Sequence, residues 1–363
     1  MDILTLEDTS CTDDLLPFTA TRSVLDIRMG ILTFREKWAS LLGPDSFRVI
    51  PGTAGPALPA NLLPTRALAA RIREVLAREG GPLTQASIDR ILTHGRLIRY
   101  PWQIFGHNGE ALLEDFEILT TGRSSQPIPP DVQALNPEKI FIEMGARLNP
   151  GIVLNASTGP IYIGRNAEIM EGTLIRGPFA AGEGAVVKMG TKIYGATTLG
   201  PYCTAGGEIK NVVFFGYSNK GHDGYLGDAV IGEWCNLGAG VSASNLKNNA
   251  GEVRVYHPAS QTWLNAGSKC GLLMGDYSRA AINTAFDTGT LVGVCCNIFG
   301  AAGPAKYIPD FTWGTVDPCR YQWEKALRDI DNWKKLKNRS LSQQEILALR
   351  HIFEASQIIK TNR

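Results

Sequence analysis

The residues best suited to chemistry gather around one histidine, in the run Gly221-His222-Asp223-Gly224-Tyr225-Leu226-Gly227-Asp228-Ala229. Within about thirty positions on either side lie Lys192, Glu208, Lys210, Asn236 and Asn245, with Tyr225 inside the run itself. An imidazole can take a proton from an attacking amine at neutral pH. Lysines and amide side chains suit an anionic, hydroxyl-bearing acceptor such as a sugar phosphate. A backbone N–H can hold a developing oxyanion. Together these groups could move an acyl group from a thioester to an amine. Taken alone, His222 could equally be a surface histidine bonded to Asp223.

The stretch that must position these residues has a six-residue beat. Every sixth residue from Ile163 is apolar: Ile163, Ile169, Ile175, Ala181, Val187, Ile193, Leu199 and Ala205. Ile231, Leu237 and Ala243 continue the pattern, and so do Met274, Ala280, Phe286, Val292 and Ile298. Neither a helix nor a simple strand repeats at this interval. The beat predicts a parallel β-helix of hexapeptide repeats, with three short strands per coil and one small or aliphatic side chain per strand pointing inward. Coils stack at the ordinary strand spacing, and one coil alone cannot bury its interior. At about 18 residues per coil, Lys192 and Lys210 are expected to stack as one cationic patch. His222 lies where the beat breaks.

The rest of the chain sets bounds. It has 363 residues and a net charge of +1, which gives no strong pull toward nucleic acid or a membrane. No apolar run approaches the length of a membrane span. The start, Met1-Asp2-Ile3-Leu4-Thr5-Leu6-Glu7-Asp8, is acidic and lacks a signal-peptide pattern. Seven cysteines include no C-x-x-C pair, which fits reduced thiols in the cytoplasm and gives no metal framework. No HExxH, G-x-S-x-G, Walker or Rossmann motif is present.

Four segments are expected. Residues 1–123 form a small α/β segment, 124–139 a linker, 140–303 the β-helix, and 304–363 a helical tail. Leu68, Ile72, Val75 and Leu76 predict an amphipathic helix over 65–79, ended by Gly80-Gly81-Pro82, and Thr84 can cap a second one. A polar insertion at 247–264 should project from the stack as a loop. In the tail, Trp323, Leu327, Ile330 and Trp333 make an apolar stripe. It reads better as packing on the open end of the solenoid than as a cofactor contact. Ser342-Gln343-Gln344-Glu345 forms a capping box for a helix running to 359.

The pattern Glu208-Ile209-Lys210, His222, Tyr225-Leu226-Gly227-Asp228-Ala229-Val230-Ile231-Gly232, Asn236-Leu237-Gly238-Ala239-Gly240 and Asn245 resembles the acetyltransferase domain of the bifunctional N-acetylglucosamine-1-phosphate uridyltransferase/glucosamine-1-phosphate acetyltransferase family. The intervals match without a gap. The resemblance implies a left-handed coil and a homotrimer, with acetyl-CoA as donor in the groove between subunits. It implies His222 as general base and Ala239 offering its N–H to the thioester oxygen. Lys210, Tyr225 and Asn236 would hold a sugar phosphate, with Glu208 and Asn245 nearby. Lys192 stands where the family has an arginine. The chain also departs from the family after Asn245, where Leu246-Lys247-Asn248-Asn249 replaces its usual run. These departures leave the acceptor open between an amino sugar phosphate and a nucleotide-linked amino sugar.

The front segment lacks the family's glycine-rich G-x-G-T-R-M loop. Leu16-Pro17-Phe18-Thr19, Arg22 and Arg28-Met29-Gly30 instead resemble putative sugar nucleotidyltransferases in which this half is short. Arg22, Arg28 and Lys37 could bind a nucleotide or make structural ion pairs, and the short length favours the latter. Mg2+ would be needed only if this half is active. Two other readings remain: a nucleotidyltransferase-like protein whose front half binds a sugar nucleotide, and a non-catalytic trimeric scaffold.

Overall fold

Aliphatic residues at a six-residue interval can all be buried only if the chain turns a corner between them. In a computed structural model, which describes residues 4–52, 55–79, 81, 83–300 and 303–356, they line a left-handed parallel β-solenoid of about ten turns. Each residue of the beat is at most 3% exposed. Three inward columns run up the stack. On the first face Leu154, Ile175, Ile193, Ile209, Leu226, Ala243 and Phe286 pair in succession. On the second face Ile163, Ala181, Leu199, Phe214, Ile231, Met274 and Val292 do so. The third carries Ile169, Val187, Ala205 and Lys220, then Leu237, Ala280 and Ile298. The first strand of the stack is Gln133–Leu135, and the last parallel one is Thr312–Trp313.

The second face is covered. Its outward residues Phe141, Tyr162, Ala180, Val213, Val230, Leu273 and Leu291 are themselves buried. Against them lies the front segment. There Leu4–Glu7 sits between Phe47–Ile50 and Leu58–Pro59 in a parallel sheet, with helices Phe34–Leu42, Arg66–Glu79, Gln85–Leu92, Trp102–Gly106 and Asn108–Thr120. Thr84 caps the third of these helices by accepting from Ser87 N. Gly80 and Pro82, expected to end the helix before it, lie outside the described residues.

The insertion does not simply project. It folds into an antiparallel hairpin, Arg254–His257 with Thr262–Asn265. Val253 and Val255 are fully buried in the core shared with the front segment. Alternating apolar residues in a nominally polar insertion drive this return.

The tail also differs from expectation. Helices Trp323–Lys335 and Gln343–Ala355 run along the corner between the second and third faces, rather than simply capping the open end. That corner carries Tyr202, Tyr217, Trp234, Tyr277, Cys295 and Phe311, all with φ between 54° and 59°. Neighbours stack, with ring centroids 5.3 Å apart for Tyr202–Tyr217 and 4.3 Å for Tyr217–Trp234. This ladder is a longer apolar stripe than the solenoid's end, so the amphipathic helices follow it. The Ser342 capping box is present. The last helix is described to Ala355, and its expected run to 359 lies beyond the described residues. The first face is left open to solvent.

Candidate active site

His222 sits on the corner between the third and first faces, in the turn that joins Asn219–Lys220 to Tyr225–Glu233. The coil beneath is short, so the turn is pressed close to it. A Cβ on Gly207, at φ 78°, would come within 3.0 Å of the His222 carbonyl oxygen. A Cβ on Gly224, at φ 127°, would meet Val241 O at 2.1 Å. Only glycine permits that approach in that backbone region. The His222 side chain is exposed and has no hydrogen-bond partner among the described residues, Asp223 included.

One coil higher, the same corner holds Ala239, tied down by Gly240 N donating to Asp223 O at 3.0 Å and by Asn283 N donating to Ala239 O at 2.7 Å. The Ala239 N–H itself has no acceptor among the described residues. Beneath His222, Lys220 fills an inward position and is 1% exposed. Its ammonium donates to Gly206 O at 3.2 Å and His222 O at 2.7 Å. Burial pushes its pKa down to about 8, with Asp223 opposing.

The first face carries the other candidates in two outward columns. One runs Leu174, Lys192, Glu208, Tyr225, and the other Arg176, Tyr194, Lys210, Gly227. Lys192 therefore sits under Glu208, not under Lys210, because the register steps 16 residues at this coil rather than the expected 18. The two lysines are diagonal neighbours. Tyr194 lies directly under Lys210, whose ammonium is 5.8 Å from the ring centroid. Its hydroxyl donates to Glu208 Oε1 at 2.6 Å. Burial, then Asp228 and Glu208, raises the Tyr225 phenol.

The remaining two candidates diverge. Asn236 is around the corner on the third face, where its Oδ1 accepts from Asn219 at 2.8 Å. Asn245 is at the far corner of the first face, 9% exposed, with its amide donating to Asp228. Asn211 donates to the other Asp228 oxygen at 2.6 Å. The structure thus groups Lys192, Glu208, Lys210 and Tyr225 on one face, sets His222 and Ala239 on its edge, and turns Asn236 away. Arg176, Tyr194 and Lys220 escaped the sequence reading. The first two follow once the coil length is known. Lys220 hid because a hydrophobic count skips it.

The three front-segment cations that the sequence singled out, Arg22, Arg28 and Lys37, all have protein partners. Arg22 pairs with buried Asp276 and lies 3.5 Å from Glu233. Arg28 donates to Phe215 O at 3.1 Å. Lys37 pairs with Asp115 where both side chains are at most 1% exposed. Asp115 also accepts from Ile31 N and Leu32 N at 2.7 and 2.9 Å, so this pair anchors the loop that meets the solenoid. In open α/β sheets, nucleotides bind beyond the carboxyl ends of the strands. After Leu4–Glu7 that position is taken by the Glu7 carboxylate, which accepts from Thr9 N at 2.7 Å and Ser10 N at 3.0 Å. An incoming phosphate would meet a negative charge on the N–H groups it needs.

Among the described residues no group of three or more His, Cys, Asp or Glu could hold a metal. Among them, no helix is long and apolar enough to cross a membrane.

Comparison with known proteins fits this division. A family model described as sugar nucleotidyl transferase matches residues 3–51 and 60–124. The bifunctional protein GlmU of Synechococcus elongatus is 25% identical over 230 residues, covering 57% of this chain and 47% of that protein. GlmU of Rippkaea orientalis is 34% identical over 109 residues, covering 30% of this chain and 23% of its own length. A UDP-N-acetylglucosamine acyltransferase from Campylobacter jejuni aligns in structure at 12% identity and a TM-score of 0.30, covering 64% of this chain and 97% of that one. The chain spans about half or less of the length of these curated relatives. Over part of its length the chain is similar to the bifunctional GlmU proteins, and the segment in front of its solenoid matches the sugar nucleotidyl transferase model.

Proposed function

We propose that the chain is an acetyl-CoA-dependent N-acyltransferase acting on an amino sugar phosphate or a nucleotide-linked amino sugar. The observation that carries this reading is the pairing, on one corner, of an exposed His222 without a protein partner and an Ala239 N–H without an acceptor. An unpaired base and an unpaired donor on adjacent coils are what an amine attacking a thioester requires.

In the reaction, the acceptor amine attacks the thioester carbonyl carbon while a ring nitrogen of His222 takes its proton. Ala239 N–H holds the oxyanion of the tetrahedral intermediate. The carbon–sulfur bond then breaks, the amide forms, and the proton passes to the departing CoA thiolate. Lys192 and Lys210 hold phosphate, and Tyr225, Glu208 and Asn236 hold the sugar. Asn245, committed to Asp228, positions Tyr225 rather than reaching the acceptor.

A solenoid corner is convex, so Asn236 and Tyr225 point away from each other in one chain. A second wall is needed to close a groove, and another copy of the chain supplies it in a homotrimer. The Glu7 carboxylate in the strand-end crevice argues against nucleotidyl transfer by the front segment, so Mg2+ has no role in this reading.

The test is release of free CoA thiol from acetyl-CoA with glucosamine-1-phosphate or a nucleotide-linked glucosamine, with sedimentation to fix the oligomer. His222→Ala should keep the fold and lose on the order of 10²–10⁴ in rate. Unchanged turnover in the variant would end the assignment.

A further inference from the structure

The first face below His222 carries three cations that one sugar phosphate cannot use. Arg176, Lys192 and Lys210 point outward from three successive coils. None has a carboxylate partner among the described residues, whereas on the third face Arg147 pairs with Glu168 at 3.3 Å. Glu208, the carboxylate in their midst, is taken up by the Tyr194 hydroxyl. Beneath the cations lies an apolar floor of Val153 and Leu174, the latter 46% exposed. These residues, with Asn155, Arg176, Lys192 and Tyr194, line a shallow concavity of about 450 Å³.

We propose that this concavity is a nucleoside diphosphate subsite, and that the acceptor is an amino sugar carried on that diphosphate. The sugar end rests on the acyl-transfer reading above, but the subsite itself does not. Length argues for it. Three register steps separate Tyr225 from Leu174 and a fourth reaches Val153, about 19 Å at the usual strand spacing of about 4.8 Å. A sugar monophosphate placed at His222 ends beside Lys210 and leaves Arg176 and the floor untouched. A diphosphate bridges Lys210 to Lys192 and Arg176, and the planar guanidinium can grip one phosphate through two N–H groups. The nucleoside base then lies flat on Leu174 and Val153. Asn155, whose Oδ1 accepts from Ser157 N at 3.0 Å, keeps its amide N–H for the base edge. An apolar floor with a few convergent polar groups is how small-ligand sites are generally built.

The test is calorimetric titration of the full chain with uridine, cytidine, guanosine and adenosine diphosphates, inorganic pyrophosphate and glucosamine-1-phosphate. At least one nucleoside diphosphate should bind about tenfold or more tighter than either of the last two. Arg176→Ala and Leu174→Glu, both on the exposed surface, should each weaken it by about tenfold, while His222→Ala leaves it unchanged. Nucleoside diphosphates binding no better than pyrophosphate would overturn the subsite. So would an Arg176→Ala variant that alters the oligomer's mass but not nucleotide affinity, since the face would then be a contact between copies. Tight nucleotide binding without CoA release from any amino sugar would support the subsite and count against acyl transfer.

Discussion

The Lys220 ammonium, inside the coil, donates to the carbonyl oxygen of His222 at 2.7 Å. A lysine in a column otherwise filled by Val187, Ala205, Leu237 and Ala280 is costly to bury. Its second bond, to Gly206 O, ties the His222 turn to the coil beneath. The turn has no regular ladder of its own, so this lysine is the peg that fixes where the imidazole begins.

Lys220→Met keeps the length and removes both bonds. The variant should remain a folded solenoid, because an apolar chain suits the column. Turnover should fall by about ten- to a hundredfold, the scale of a misplaced catalytic group, with the KM for acetyl-CoA little changed. A kcat equal to wild type, with the circular dichroism spectrum preserved, would show that the turn holds its shape without the lysine.

The same residue gives a pH dependence. In the fold the Lys220 pKa is about 8, and in an unfolded chain a lysine titrates near 10.4. Between these values the unfolded state binds more protons than the folded one, so stability rises with pH. The burial cost is fully present below about pH 8 and is relieved as pH approaches 10.4, a change on the order of 3 kcal/mol. Urea denaturation at pH 7.5 and pH 9.5 should show wild type gaining stability relative to Lys220→Met. Other titrating groups are common to both proteins and cancel in the difference. A difference that is flat with pH would mean the ammonium is charged normally in the fold.

The solenoid was legible because its interior admits little but small and aliphatic side chains, and Ile163 through Ala205 obey that without exception. What the beat could not show was the shortening between Ile193 and Ile209, because glycines at Gly206 and Gly207 carry no inward side chain to count. Lys192 was consequently placed under Lys210 instead of Glu208. The covering of the second face did leave a signal. Ile140-Phe141-Ile142, Ile161-Tyr162-Ile163 and Phe179-Ala180-Ala181 are apolar at all three positions, as a strand buried on both sides must be. Leu174-Ile175-Arg176 on the open face is not. The tail's corner ladder was harder to see, since aromatic residues at positive φ are unusual and depend on their stacked neighbours.

Ile193→Asp tests the register directly. Ile193 is 1% exposed between Ile175 and Ile209, and a carboxylate there is cut off from water, while the nearby Lys220 ammonium is already committed to Gly206 O and His222 O. Stacking makes the defect interrupt every contact between the coils above and below. The chain should fail to accumulate as soluble protein, or melt far below wild type, whereas Lys192→Asp one residue earlier on the outer surface should be close to neutral. Equal stability of the two variants would place the inward column elsewhere.

Arg22 and Asp276 hold the front segment to the solenoid. Asp276 is 1% exposed and accepts from Thr21, Arg22 and Glu233 N. Burial already raises its pKa, and Arg22 is the chief influence pulling it down. Arg22→Ala leaves the carboxylate buried without its cation, which typically costs about 3–5 kcal/mol. The sign of the pH effect follows. With the folded pKa raised further above the unfolded value of about 3.9, the folded variant holds a proton that the unfolded chain has released. Its stability therefore falls as pH rises between those values. The deficit relative to wild type should be larger at pH 7.5 than at pH 5, read from paired denaturation curves. Asp276→Asn in the same background should remove that pH dependence, and a deficit independent of pH in Arg22→Ala would show that the arginine acts through its packing on Phe215, 5.1 Å from the ring centroid, rather than through its charge.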